Sequence, residues 1–580
     1  MREPIPTVDP TLPRRFADFD TLLDALDYAA QGIRGLNFYS PRGELESSIT
    51  YAQIRDRAQE IGRRLILFGF KKGERVALIA ETSEDFVCYF LGCQYAGLLP
   101  VPLPLPTSFG GREGYTRQLH QQMKSCGASV AFSASYMLPL LDEAAQGLDM
   151  KYVGSADTFE AQATLADLKD IELHKANSDD LAYLQYSSGS TRFPHGVAVT
   201  HRSLMANCYG IGKEGVDVRD DDRLVSWLPF YHDMGLVGTL LSALACQMTT
   251  DYLATEAFAR RPMQWLKLIS RNRGTITYSP TFGYEICSRR ANGTDTEGMD
   301  LSCWRVAGIG GDMIRPDVLR NFHETFKNVG FRETSFLPSY GLAECTLAVS
   351  FAKLGKGVEV DLVDERVLNG EIKMLEKFTK ANGNGANYRE VVNCGIPLTE
   401  YEMEIRDEND NALGERQIGR VCVRGTSVMS GYFQDEEATR QCLSEDGWLD
   451  TGDMGYMADG AIYIIGRIKD LIIINGKNHW PQDIEWAVEQ LPELRSGDSA
   501  AISIPGENNE EVPAILVQCR SRNEAERQEL ENKIRHKVKS LIGMPAKVVL
   551  LPPRSLPRTS SGKLSRTKAR QQYLSGTLAP

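Results

Sequence analysis

With 580 residues the chain is too long for one ordinary domain, and its 42% hydrophobic and 24% charged content is that of a globular protein. Lys and Arg number 65 against 77 Asp and Glu, a net charge of -12. That balance excludes a general nucleic-acid or anionic-membrane surface, because both need a concentrated basic face, and points to small ligands held by local positive charge.

The start, MREPIPTVDPTLPRRF, has no apolar signal core, so a cytoplasmic location is expected. The twelve cysteines form no CxxC pair and the eight histidines no HExxH, so free buried thiols are expected and a zinc site is not. In chain order, RVALIA (75–80) reads as a buried strand. The apolar stretch 86–106 ends in LLPVPLPLP, whose alternate prolines rule out a membrane helix and predict a buried helix followed by an irregular strand. LAYLQY (181–186) and RLVSWLP (223–229) are further apolar runs between helix-like segments, the pattern of α/β layering with buried strands.

LAYLQY runs into YSSGSTRFPHGV (186–197) and then GVAVTHRSLMAN, a short strand and a helix starting near Thr200. Toward the end, AIYIIG (461–466) and DLIIIN (470–475) flank RIK, and PQDIEWAVEQL begins with a proline suited to a first helical turn. Ile484, Val488 and Leu491 share one face of that helix, and Leu530, Ile534, Val538 and Leu541 repeat the pattern in a second helix near 527–542. A small α+β domain is therefore expected over 469–580, after a large domain over 1–468, with the boundary at or inside GRIKD.

The loop after LAYLQY is built for an anion: Ser187, Ser188, Ser190 and Thr191 offer hydroxyls, and Gly189 lets backbone N–H groups turn inward. It lacks the lysine of GxxxxGK[ST], and a loop of this kind taken alone is more often an ordinary strand-to-helix turn. A second Ser/Gly cluster, LPRTSSGKLSR (556–566), does contain a lysine, Lys563, although alone it would read as a solvated basic tail.

Between the two clusters lie SYGLAE, GWLDTGDMGY and GRIKDLIIINGKNHWPQDIE. In this order and spacing the segments resemble the adenylate-forming superfamily of acyl-CoA synthetases, luciferases and peptide-synthetase adenylation domains, over about Phe19 to Arg570. LQYSSGSTRFPHGV, WLPFYHDMGL, YGLAECTL and NGKNHWPQDIE look most like the fatty acyl-AMP ligases. The resemblance implies an α/β adenylate-forming (acyl-CoA synthetase-like) fold: a large N-terminal domain with parallel and distorted-barrel sheets, capped by a small mobile C-terminal α+β domain.

The reaction so implied joins a medium- or long-chain fatty acid to the α-phosphorus of ATP and releases pyrophosphate. It needs magnesium, donors on the phosphates and a cation where carboxylate and phosphate meet. By resemblance that cation is Lys563, so the lysine missing from the loop comes from the other domain. His195 stands where many relatives carry a loop lysine and, neutral near pH 7, receives no charge role. Arg192 is as open to a substitute role as to that of a solvated arginine.

The catalytic set implied by the family is Lys563, Glu344 and His232, with Glu344 and Thr191 on magnesium. Tyr340 and Gly341 match the aromatic segment that packs on adenine, and Gly310, Gly311 and Asp312 of GIGGDMI match the opposite wall, Asp312 standing where the family usually has Glu. Asp453 in TGD matches the acceptor of the ribose hydroxyls, Arg467 an arginine reaching ribose or phosphate, and Lys469 the hinge. The acyl tunnel is assigned to His232, Asp233 and Gly235 of FYHDMGL and to Thr281, Phe282 and Gly283 of YSPTFGYEIC, although the family commonly has Asn at Thr281 and Ala at Gly283.

Acyl-CoA synthetases rotate the small domain to admit the coenzyme thiol. The fatty acyl-AMP ligases carry an extra segment after YGLAE that hinders this rotation, and they use the phosphopantetheine arm of an acyl carrier protein instead. Here the interval from Glu344 to Gly395 is longer than in the shorter synthetases, and about 353–390, with β-like VEVDLV and polar ANGNGAN, suits an inserted strand pair. A separate carrier protein is thereby implied, with PPRSLPRTSSGKLSRTKAR as the dense basic stretch and Arg558 and Arg566 as docking candidates. The alternatives are a long-chain fatty acyl-CoA synthetase and a non-catalytic adenylate-binding protein. An amino-acid adenylation domain is disfavoured, since no acid obviously stands ready in the acyl tunnel for an α-amine and the one candidate, Asp233, belongs to the fatty-acyl-like HDMGL.

Overall fold

The structure is a computed structural model and describes residues 4–5, 12–106, 111–162, 164–187, 194–291, 296–370, 388–474, 477–506, 511–559 and 562–578. Its largest sheet has nine strands in the order Ile396–Pro397, Ala348–Phe351, Phe336–Gly341, Val306–Ile309, Ile276–Ser279, Arg223–Ser226, Thr249–Leu253, Gly35–Tyr39 and Leu45–Thr50. Pairing is parallel from Phe336–Gly341 through Gly35–Tyr39 and antiparallel at both edges. A parallel sheet is covered on both faces, which is why RLVS and ITYS are buried at every position without alternation. The charge this buries is matched: Arg223 donates from Nε and Nη2 to the two oxygens of Asp251, 2.7 Å each.

A second, all-parallel sheet has the order Leu99–Leu103, Arg75–Ile79, Ala128–Ser133 and Tyr152–Ser155. The strand expected to be irregular is a regular one. Leu99 N–H donates to Glu74 O and Ala80 N–H to Leu103 O, so the odd positions of the strand turn their N–H groups into the ladder. Pro100 and Pro102 occupy the alternate positions, where an N–H would point out of the sheet into a buried layer and find no acceptor.

LAYLQY and GVAVT form a two-stranded hairpin, Leu181–Tyr186 against Gly196–Thr200, and Thr200 caps the helix His201–Tyr209 by accepting from Ser203 N–H. AIYIIG closes a four-stranded antiparallel sheet with Tyr401–Arg406, Gly419–Gly425 and Leu449–Ala458. The inserted segment appears as an antiparallel pair, Val360–Asp364 with Tyr388–Val392, while the ANGNGAN turn lies outside the described residues.

After the turn Ile468–Asp470 come a short hairpin, the helix Pro481–Glu489 and a three-stranded sheet of Ser499–Pro505, Glu511–Gln518 and Lys547–Leu551. The helix Glu524–Ile542 runs from the Asn523 cap to Gly543, whose φ of 76° ends it. Ile484, Val488, Leu530, Ile534 and Val538 are buried as predicted, with Leu491 and Leu541 at the margin. The basic tail is a helix, Arg566–Leu574, that buries Ala569 against the sheet. No helix among the described residues is long and apolar enough to cross a membrane.

Candidate active site

One cavity gathers residues from the nine-stranded sheet and its connections, from the end of the four-stranded sheet and from the C-terminal domain. Its polar end is lined by Ser187, His232, Asp233, Gly310, Gly311, Tyr340, Gly341, Glu344, Arg467 and Lys563, ten of the positions assigned from the sequence. The strand Val306–Ile309 delivers the Gly310–Gly311 turn. At Gly311, with φ of 78°, an added Cβ would sit 4.0 Å from Lys563 Nζ, so the ammonium reaches the turn from the C-terminal domain. At Gly341 an added Cβ would lie 1.9 Å from Leu347 O, a backbone contact that admits only glycine.

Tyr340 Oη donates to Asp453 Oδ2 at 2.8 Å and Arg467 Nε to Asp453 Oδ1 at 3.2 Å. Asp453 itself is buried behind the pair. Burial, reinforced by Asp453, pushes the Tyr340 phenol well up, and the attraction of Asp453 raises the Arg467 guanidinium above its ordinary value.

His232 caps a single helical turn, Asp233–Gly235, and its Nδ1 lies 2.7 Å from Asp233 Oδ1. Burial works against ionisation of Asp233, yet the His232 ring, Lys563 and the Met234 N–H outweigh it and hold the carboxyl below the ordinary Asp range. Gly235 is required for backbone packing, since a Cβ there would meet Pro229 O at 2.1 Å.

Glu344 sits in the 3₁₀ turn Ala343–Cys345 and accepts the Tyr432 hydroxyl proton on Oε1 at 2.8 Å. The next residue but one, Thr346, is buried at φ 65°, ψ -56°, a rare conformation for a β-branched residue, and its Oγ1 donates to Ser427 O at 2.9 Å. Tyr432 also packs its ring 4.7 Å from that of His195, whose Nδ1 lies 3.0 Å from Asp435 Oδ2. His195 therefore faces Asp435 and is not among the residues lining the cavity.

Four groups of expectations fare differently. Ser188, Gly189, Ser190, Thr191 and Arg192 lie outside the described residues. Asp312 is exposed, accepts from Met313 N–H at 2.8 Å and is not among the residues lining the cavity. Thr281, Phe282 and Gly283 open the helix Thr281–Arg290 and are not among the residues lining this cavity; Gly283 packs against Ser279 and Trp227. Arg566 is no docking candidate, since it is held by Glu485 and Asp470 at 2.6 and 2.7 Å, while Arg558 donates to Gly562 O and Gly497 O. Lys469 lies exposed in the turn Ile468–Asp470.

The apolar arm of the cavity is instead lined by Ile211, Gly238, Leu347, Ala348 and Phe351. Two π-helical segments, Gly210–Gly215 and Leu236–Leu241, supply its wall, and such segments concentrate at functional sites. Tyr278 and Ser339, which sequence reasoning passed over, line the same cavity; each lies within three residues of an assigned position, so motif adjacency was the available signal.

The chain belongs to the AMP-binding enzyme family: the family's model matches residues 37–433, and that of the AMP-binding enzyme C-terminal domain matches 476–570. It is 47% identical over 567 residues to a Caulobacter vibrioides protein provisionally named acyl-CoA synthetase, covering 97% of each chain. It is 34% identical over 578 residues to the medium-chain fatty acid–acyl carrier protein ligase JamA of Moorena producens, covering 97% of this chain and 96% of that one. A solved structure from work on fatty acyl-adenylate ligases of E. coli and L. pneumophila matches with a TM-score of 0.92 and 46% identity, over 97% of this chain and 100% of the other.

An acyl chain laid in the apolar arm passes Gly238, where a Cβ would already stand 3.1 Å from Leu347 Cδ2. Gly238→Leu should shift preference toward shorter acids, by about fourfold per methylene that no longer fits, given ~0.8 kcal/mol per buried methylene. Competition between acids of graded length, read as the ratio of adenylate products, checks it; an unchanged ratio would remove this arm from substrate binding.

Proposed function

We propose that the chain is a fatty acyl-AMP ligase, which joins a fatty acid to the AMP moiety of ATP, releases pyrophosphate and passes the acyl group to the phosphopantetheine thiol of an acyl carrier protein. The observation that carries this reading is one cavity lined by both apolar and polar groups, with Lys563 reaching it from the C-terminal domain. Its similarity to JamA and to a fatty acyl-adenylate ligase structure supports it.

In the first half-reaction a carboxylate oxygen attacks the α-phosphorus in line, the new O–P bond forms, and the bond from that phosphorus to the β-bridging oxygen breaks. The electron pair leaves with pyrophosphate. Lys563 neutralises charge where the two anions meet, and a preorganised cation there favours the transition state. Tyr340 offers its ring to adenine. Asp453 accepts one donor on each oxygen, and a carboxylate has lone pairs left for the ribose hydroxyls.

Glu344 fits a magnesium ligand: Oε1 takes the Tyr432 proton, Oε2 has no partner among the described residues, and the residue lines the cavity. A hard carboxylate oxygen beside phosphate oxygens is the usual holder of that ion, which when bound would offset the charge of the departing pyrophosphate. In the second half-reaction a thiolate sulfur attacks the acyl carbonyl, the C–S bond forms and AMP leaves with the electrons of the C–O bond.

The inserted strand pair supports the carrier protein over coenzyme A. Val363, Val367, Leu368 and Val391 pack with Tyr456, Ala458 and Ile465 of the large domain and with Trp480 of the small one. Trp480 Nε1 donates to Leu368 O at 3.3 Å, and Asn478 N–H to Asn369 O at 3.2 Å. Arg389 reaches Asp483 at 3.1 Å, and Arg315 and Arg389 lie 5.6 and 5.9 Å from the Trp486 ring. The insertion thus grips the small domain near the hinge we place at Lys469, and rotation toward a coenzyme-accepting orientation must break this grip.

Purified protein given ATP, magnesium and dodecanoic acid should form acyl-AMP, and with a phosphopantetheinylated carrier protein the acyl thioester, but no acyl-CoA with free coenzyme A. Efficient acyl-CoA formation would restore the reading carried by the Caulobacter relative's name. Lys563→Ala should lower acyl-AMP formation by roughly 10²–10³-fold, the effect of losing one transition-state donor. The double variant Trp480→Ala/Arg389→Ala should leave adenylation nearly intact and gain acyl-CoA formation, measured by thioester analysis; no gain would detach the insertion from acceptor choice.

A further inference from the structure

A second cavity, of about 400 Å³, lies in the C-terminal domain away from the reaction chemistry and is lined by Arg495, Gln518, Arg520, Pro553, Arg554 and Arg558. Four of its six walls are arginines and none is acidic, in a chain whose net charge is -12. The charges are differently compensated. Arg520 is paired, 2.5 Å from Asp498 Oδ2, whose carboxylate lies buried behind the wall. Arg558 donates to Gly562 O at 2.9 Å and to Gly497 O at 2.8 Å, and burial pulls its guanidinium below the ordinary value against the attraction of Glu489, Asp498 and Asp312. The Arg495 and Arg554 side chains are exposed and have no ion-pair or hydrogen-bond partner among the described residues.

Arg554 is held there at some cost, since its φ of 68° is left-handed. The turn that imposes this conformation sets its side chain beside Arg520 and Arg558 in one concave wall, where a lone solvated arginine would gain nothing from neighbours of like charge. The same wall is joined to the reactive arm. Arg558 bonds Gly562 O at the tip of a tight hairpin, in which Thr559 N–H donates to Lys563 O and Lys563 N–H to Thr559 Oγ1. A partner seated against Arg558 would therefore touch the base of the hairpin that carries the ammonium into the main cavity.

We propose that this four-arginine cavity is the docking surface for an acidic protein partner, and, resting on the reading given above, that the partner is the carrier protein. The match is one of charge: a concave cluster of guanidiniums suits protruding carboxylates, which arginine binds by paired N–H donors. It replaces the docking role that the neighbouring Arg566, locked onto Glu485 and Asp470, is unable to play.

The test uses the full chain, a panel of phosphopantetheinylated carrier proteins, and two variants, Arg495→Glu/Arg554→Glu and the milder Arg495→Gln/Arg554→Gln. Both variants should form acyl-AMP within about twofold of the wild-type rate. The charge reversal should raise KM for the carrier by about tenfold or more with kcat little changed, the neutral pair should raise it less, and salt should slow the wild type more than the reversed variant. Carrier KM and salt dependence unchanged in both variants, with wild-type transfer intact, would overturn the docking surface and leave the proposed function standing. Failure of the wild type to acylate any carrier would overturn both. An equal fall in acyl-AMP formation would place the cavity in the adenylation step and also overturn the proposal.

Discussion

A carboxylate and a polyphosphate repel one another when brought into one cavity, and at 4 Å with an effective dielectric of about 20 each pair of unit charges costs ~4 kcal/mol. Among the described residues lining the cavity, the cations are Arg467 and Lys563. Arg467 is already committed to Asp453, so in the proposed reaction the charge that would relieve the repulsion is that of Lys563, supplied by the other domain. On the proposed reading the large domain would hold both anions, and the position of the small domain would decide whether they can be joined.

That dependence gives the interface its character. It combines apolar contact, through Val363, Leu368 and Trp480, with charge, through Arg389 and Asp483, and with two guanidiniums near the Trp486 ring. Burial raises the Asp483 carboxyl to about 6 despite Arg389, so the pair remains charged at neutral pH while lying close to its limit. An interface so assembled is specific in orientation, because guanidinium, carboxylate and indole tolerate little misalignment, and its strength comes from several modest contacts acting together.

Local patterns carried much of the architecture. The capping threonine at 200, the proline at 481 and the helical repeat from Leu530 to Val538 each encode their element within a few residues, and each element is found there. What escaped was direction. Thr281, Phe282 and Gly283 stand beside a lining residue, Tyr278, but the helix that starts at 281 rotates them away; Asp312 follows two lining glycines and turns to solvent. Partners distant in sequence were equally hidden. A dense basic tail looks solvated until Glu485 and Asp470 prove to be the acids that hold Arg566, and nothing near Glu344 announces Tyr432, 88 positions on. The phosphate loop remains an expectation beyond Ser187.

Thr346 bears on when energy is spent. A β-branched residue at positive φ stores roughly 1–3 kcal/mol, and it persists only because surrounding contacts, here the hydrogen bond to Ser427 O in a fully packed setting, over-determine it. The turn so held ends the Glu344 segment. The work of aiming that carboxylate is therefore done once, as the chain folds, and is not repeated at each turnover. A backbone relaxed at this point would gain stability for the empty protein and leave the carboxylate to be oriented anew by every incoming nucleotide.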